Sequence, residues 1–240
     1  MEQNQLSKKE QREVQRQSAE FKSKMTKFAW IAVIIAFIGG IFWFSMSGSE
    51  QKATVANELL TVVSDDHVVG PATAPVTIVE YLDFECEACG AYYPIMKELE
   101  AAYPNDLRVV NRYFPLPSHR NSMTAALAVE AASRQGKYQE MFDMAFQNQK
   151  DWGEKQIPTP EVFEGYAQQI GLDMAKFKED VASQSVKDRV QRDVDSGNKL
   201  GNSGTPTFFL NGKKINNPNG LDAYKKLIDD AIAQSKTAGQ

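Results

Sequence analysis

The chain of 240 residues carries 27 basic and 31 acidic side chains, a net charge of −4, which argues against nucleic acid as a partner. Its two cysteines are too few for a disulfide-stapled scaffold, and its two histidines, His67 and His119, lack the spacing of a zinc site, so no metal is expected. The length allows one or two domains.

Residues 1–27 are polar, with seven basic and four acidic side chains, and read as a cytoplasmic tail. Phe28–Met46 then runs without a charged residue. At roughly 1.5 Å per helical residue it spans about 28 Å, close to the hydrocarbon thickness of a bilayer. Trp30 and Trp43 near its ends suit the interfacial belts. Beyond it come 20 basic and 27 acidic residues, a net charge of −7. The positive flank precedes the span, so the expected arrangement is a single-pass anchor in a bacterial cell membrane, N-terminus inside and the remainder outside. A cleaved signal peptide fits less well, because the segment before the apolar run is long and Ser-Met-Ser-Gly-Ser is a weak cleavage site. Residues 47–66 read as a tether with a small apolar patch at Leu59, Leu60, Val62 and Val63.

The folded domain is expected from residue 67, its first part running to 117. After the turn-forming Val69-Gly-Pro-Ala-Thr-Ala-Pro75, the segment from Val76 is apolar on both faces, as in a central strand of a sheet. Val76, Ile78, Leu82 and Phe84 share one face with Glu80, the odd polar residue; Val79 and Tyr81 take the other. Helical spacing begins at Ala91 and continues through Ile95, Leu99 and Ala102. The only two cysteines, Cys86 and Cys89, therefore sit where a buried strand hands over to a helix N-terminus. The free backbone N–H groups and the helix dipole there favour the Cys86 thiolate. Cys86 should be the exposed thiol and Cys89 the one a turn inward. A two-residue loop makes a poor structural staple, so the pair points to redox chemistry. Leu107–Phe114 reads as a second strand, completing a βαβ unit.

From 118 to 200 the pattern is helical throughout. Tyr138, Met141/Phe142 and Ala145/Phe146 form one stripe, and Val162/Phe163, Tyr166/Ala167 and Ile170 another; both suit core packing. Strand character returns in the last part, 201–235, at Thr207–Leu210. Asn211-Gly212 makes a hairpin turn, Lys213-Lys-Ile follows, and an amphipathic helix runs through Leu221, Tyr224, Leu227/Ile228 and Ile232. Residues 236–240 are a tail.

A βαβ unit, a helical block, a ββ hairpin and a helix, with Cys-x-x-Cys at the first helix, resemble a thioredoxin-like α/β fold with an all-helical insertion. This is the arrangement of the DsbA family of extracytoplasmic thiol–disulfide oxidoreductases, here preceded by one transmembrane helix. The resemblance rests on Gly70-Pro-Ala-Thr-Ala-Pro-Val-Thr-Ile-Val-Glu-Tyr-Leu-Asp-Phe-Glu-Cys-Glu-Ala-Cys89 and Gly204-Thr-Pro-Thr-Phe-Phe-Leu-Asn-Gly212. It implies Cys86 as nucleophile and Cys89 as resolving thiol. It also implies Pro206 as a cis-proline facing the pair, with the Thr205 backbone left to bind an extended substrate, and Glu80 as a buried proton acceptor for Cys89.

The dipeptide Glu87-Ala88 departs from the Pro-His of the strongest oxidants. Together with Glu85 it is expected to tune the pair toward a milder potential, provided the carboxylates are near the thiolate and desolvated. The resemblance further implies exported proteins as substrates, a quinone-coupled oxidase of the DsbB or VKOR-like kind as redox partner, and no cofactor. Running the same pair backwards would make a reductase or isomerase. A non-catalytic anchored binding domain with an inert disulfide is the remaining alternative.

Overall fold

The computed structural model describes residues 54–238 and, before them, Trp30 and Phe37. The anchor expected at Phe28–Met46 thus lies, those two residues apart, outside the described residues. Among the described residues no helix is long and apolar enough to cross a membrane.

Residues 54–60 are helical (α1). There follow β1 (His67–Val69), β2 (Val76–Leu82), α2 (Glu87–Ala102) and β3 (Leu107–Tyr113). Six helices come next: α3 (Ser122–Ser133), α4 (Tyr138–Gln147), α5 (Gln149–Trp152), α6 (Pro160–Gln169), α7 (Met174–Ala182) and α8 (Gln184–Lys199). The chain closes with β4 (Thr207–Leu210), β5 (Lys213–Lys214) and α9 (Leu221–Ala238). The five strands form one sheet in the order β1-β3-β2-β4-β5. β2 pairs parallel with β3 across the α2 crossover and antiparallel with β4. Asn211 and Gly212, with φ of 45° and 79°, supply the left-handed turn that joins β4 to β5.

The two-sided apolar character of β2 is used on both sides. Val76 and Ile78 pack with Met96 and Leu99 of α2 and Tyr224 and Ile228 of α9. Val79 and Tyr81 pack with Leu60, Val110, Phe114 and Phe209 on the opposite face. α8 lies against that second face. Gly197 permits the approach, since a Cβ there would stand 2.7 Å from the Phe114 ring and 3.1 Å from Tyr81. At the C-terminal end of β2 and just past it, Leu82 and Phe84 enter the core of the helical insertion with Val129, Met141, Phe142 and Phe146.

Two segments carry structure that the sequence left unassigned. His67–Val69 is an edge strand, β1, pairing antiparallel with β3. Three residues are too few to show period-two alternation, and only β3 makes them a strand. The second half of the segment expected as a tether, 47–66, packs on the fold. Leu60 is buried, and the Arg112 guanidinium on β3 donates to the carbonyls of Leu59 and Thr61 and to the Asp66 carboxylate. A buried arginine must satisfy its donors, and the polar backbone of residues 59–66 does so.

Candidate active site

The cysteine pair sits where the sequence places it, at the junction of β2 and α2. Cys86 is the N-cap residue of α2, in extended conformation, and its carbonyl accepts from Gly90 N–H at 3.0 Å. Cys86 is not openly exposed, contrary to expectation. It is 8% accessible against 1% for Cys89, because the 118–120 and 154–156 loops wall a cleft of about 440 Å³ around it. Cys86 lines that cleft, and Cys89 does not.

The two thiols are free and strongly unequal. The Cys86 pKa is lowered to about 5. A hydrogen bond with the Cys89 side chain is the largest cause; burial opposes it, while Thr205 and the backbone N–H groups of Cys89 and Ala88 reinforce it. Those N–H groups are the free donors of the first helical turn. In the dithiol the Cys86 Sγ donates to the Thr205 carbonyl at 3.4 Å, while the buried Thr205 Oγ1 has no partner among the described residues. That hydroxyl is a donor a thiolate would draw. Cys89 is pushed well above the ordinary thiol value by burial, then by its bond to Cys86 and the charge of Glu80.

Glu80 is 5% accessible, and burial, followed by the charge of Glu100, pushes its carboxyl up to about 8. Glu80 lies on β2 between Asn111 of β3 and Phe208 of β4, and its charge is among the causes that raise Cys89. The Thr205–Pro206 peptide bond is cis, and Thr205 faces Cys86.

The tuning residues behave differently from expectation. Glu87 is exposed, so water screens its charge and the case for a milder potential loses its basis. Glu85 is buried, but its two carboxylate oxygens accept the backbone N–H groups of Asn121 and Glu154. Its charge is spent on tying the active-site loop to the insertion. Ala88 contributes through its backbone N–H alone.

Four residues that build the site were missed. Gln149 of α5 donates to the carbonyls of Phe84 at 2.7 Å and Cys86 at 2.9 Å, and a Cβ at Gly90 would collide with it. Asn121, wholly buried, accepts from Thr159 N at 2.8 Å and donates to the Trp152, Lys155 and Ile157 carbonyls, holding the loop that walls the cleft. Asp83, 1% accessible, accepts from Glu85 N and Leu116 N, both at 2.9 Å, and lies 2.6 Å from His119 Nδ1. His119 lines the cleft with Cys86. A signal for these last two was available: parallel β2 and β3 deliver the residues after them to the same sheet edge, so the segment following Phe114 had to lie beside Cys86. His67, by contrast, is bonded to Glu130 at 2.7 Å and stacks on Tyr138. No cluster of metal-ligating residues occurs among the described residues.

Comparison with known proteins agrees with this geometry. The thioredoxin family model matches residues 62–230. A segment of the Na(+)/H(+) antiporter NhaA 3 of Salinispora tropica is 38% identical over 172 residues, covering 71% of this chain and 25% of the antiporter. The chain thus spans about a quarter of the length of that curated relative. Among solved structures, alpha-DsbA1 of Wolbachia pipientis superposes with a TM-score of 0.70 at 20% identity, over 77% of this chain and all of that one. BdbD of Bacillus subtilis gives 0.62 at 24% identity, over 70% and 93% of the two chains. At those identities the likeness speaks to the fold, and the thioredoxin-like part with its helical insertion is the one read from the sequence. The chain belongs to the thioredoxin family, and it shares with the Wolbachia pipientis and Bacillus subtilis proteins a thioredoxin-like fold that carries a helical insertion.

Proposed function

We propose that this chain is a membrane-anchored, extracytoplasmic oxidoreductase that introduces disulfides into exported proteins through the Cys86–Cys89 pair. The observation that carries this reading is the inequality of the thiols: Cys86 caps α2, lines the cleft and bonds to Thr205 at the cis peptide, while Cys89 is buried and does not reach the cleft. The lowered pKa of Cys86 and the raised one of Cys89 accord with it. A stable Cys86 thiolate favours the dithiol over the disulfide and leaves readily, which drives the reaction toward oxidation of the substrate. A substrate thiolate attacks Cys86 in the disulfide, and the bond to Cys89 breaks with its electron pair going to Cys89. We assign the proton it takes up to Glu80, the buried carboxyl pushed up to about 8 whose charge acts on Cys89. A second substrate thiolate then attacks the substrate sulfur of the mixed disulfide, releasing Cys86 as thiolate and the substrate as disulfide. Two electrons pass to the pair, and a quinone-coupled membrane oxidase of the DsbB or VKOR-like kind removes them. Thr205 and Pro206 flank the exchanging sulfur and hold the substrate backbone.

The uncharged run Phe28–Met46 supports the anchor. An inert disulfide is disfavoured, since a purely structural pair has no need of unequal thiols. Reductase or isomerase work would use the same residues, with Cys89 resolving the mixed disulfide. The experiment is a trap in cells. Cys89→Ala should accumulate mixed disulfides with exported proteins in the carbonate-washed membrane fraction, whereas Cys86→Ala should not. Equal trapping by both variants would overturn the division of labour, and a soluble form beginning near residues 46–50 would overturn the anchor.

A further inference from the structure

The Pro-His dipeptide of strong oxidants is absent, yet a histidine from elsewhere in the chain lines the same cleft as Cys86. Asp83 follows β2 directly, and His119 lies in the loop after the parallel neighbour β3, so both emerge on the sheet edge that carries Cys86. The buried Asp83 carboxylate accepts two backbone N–H groups and lies 2.6 Å from His119 Nδ1. A carboxylate acceptor requires a proton on Nδ1, which fixes the ring and leaves Nε2 as the nitrogen that gains or loses the second proton. The His119 side chain is 29% accessible and shares the wall of the cleft with Cys86.

We propose that His119, oriented by Asp83, is the charge-supplying partner of the Cys86 thiolate, doing from the loop after β3 what the dipeptide does not. Other charged groups face the same cleft: Glu85, Glu87, Arg120, Glu154 and Lys155. Glu85 is an acceptor held by two backbone donors and offers Cys86 no positive charge. Glu87, Arg120, Glu154 and Lys155 are exposed, and water screens them. His119 alone is both cationic when protonated and held in place. Burial works against its charge, but the hydrogen bond and charge of Asp83, then the charges of Cys86 and Glu85, raise its pKa above the ordinary value.

The consequence falls on the step that releases product. The attacking substrate thiolate gives its electron pair to the substrate sulfur, the bond from that sulfur to Cys86 breaks, and the pair leaves with Cys86. Negative charge moves from substrate to Cys86 with no net proton transfer, and an imidazolium held in the wall of the same cleft stabilises that leaving thiolate through space. Linkage makes the effect reciprocal: if protonated His119 favours the thiolate, the thiolate must favour protonated His119 by the same factor.

That reciprocity is the test, and it rests on the reading of Cys86 as the low-pKa nucleophile. With only two histidines in the chain, the imidazole resonances of full-length, histidine-labelled protein in detergent can be titrated in both redox states. His119 should hold its proton about threefold to tenfold more tightly in the dithiol than in the disulfide, the range for an opposite charge across a partly wet cleft; His67 should not change. His119→Gln, which keeps a donor for Asp83 but not the charge, should weaken the Cys86 thiolate by the same factor. It should also move the equilibrium with glutathione equally toward the disulfide, about 15–30 mV for a two-electron couple. His119→Lys should restore both. Identical His119 titrations in the two redox states would overturn the inference, as would equal losses in the Gln and Lys variants. If the Gln variant fails to fold, the comparison of redox states in the unaltered protein decides alone. If Cys86 itself titrates as an ordinary thiol in the unaltered protein, the reading of the nucleophile has failed, a result separate from any change at His119.

Discussion

Glu80 is a carboxyl that the fold buries at a cost in stability, and replacing it with glutamine gives a quantitative prediction. Its carboxyl moves from 4.5 in the unfolded chain to about 8 in the folded protein, with burial as the main cause and the Glu100 charge second. Between those values the unfolded chain has lost the proton and the folded one keeps it, so stability falls as pH rises from about 4.5 to about 8. At about 1.4 kcal/mol per pH unit the loss has a ceiling on the order of 5 kcal/mol above pH 8, and relaxation around the carboxylate should bring it to about 2–4 kcal/mol. Glu80→Gln removes the titrating group while keeping the shape. Urea unfolding of the oxidised protein at pH 5, 7 and 8.5 should show the unaltered chain weakening along this series. The variant should lack most of that slope and be the more stable of the two at pH 8.5. Parallel pH profiles would show that Glu80 ionises in the fold without penalty, and its role as the proton donor to Cys89 would fall with it.

Other outcomes follow from single contacts. Asn121→Ala leaves the buried Thr159 N–H without its acceptor and frees three loop carbonyls, which should cost about 2–3 kcal/mol in urea unfolding. Gly197→Ala drives a methyl group into the Phe114 ring and should cost about 1–3 kcal/mol by the same measurement, despite the better helix propensity of alanine. The dithiol should be more stable than the disulfide at pH 8, with the advantage vanishing as pH falls to about 5. This follows because a thiol lowered from 9.0 to about 5 contributes stability above its unfolded value and loses it on acidification through its folded one. A difference in melting temperature between the redox forms that ignores pH would contradict the lowered Cys86 value.

The βαβ unit, the hairpin and the helical insertion were legible because they rest on local signals. These are the two-sided apolar run of Val76–Leu82, the 3.6-residue stripes of the insertion, and Asn211-Gly212 at the hairpin. The cysteine pair and Glu80 were legible for a related reason, since both depart from their surroundings. His119, Asp83, Gln149 and Asn121 were not, because each acts across at least 30 residues of chain on a partner that no periodicity names. Glu85 and Glu87 show the same limit from the other side. They are neighbours of Cys86 in sequence with the same charge, yet one is buried on two backbone donors and the other is in water. Only the fold of the 118–121 and 154–159 segments decides which is which.

The central claim is that Cys86 exists as a thiolate at neutral pH while Cys89 does not. Thiolate absorbance of the reduced full-length chain, followed from pH 3 to pH 10, tests it directly. One thiol should ionise near pH 5 and no second one below pH 9. The first transition should be absent from Cys86→Ala, and the effect of Cys89→Ala should be to raise it, since the Cys89 hydrogen bond is the largest cause of the low value. A single transition near pH 9 that includes both thiols would mean that the helix N-terminus and its neighbours do not activate Cys86, and the proposed oxidase chemistry would have no physical basis.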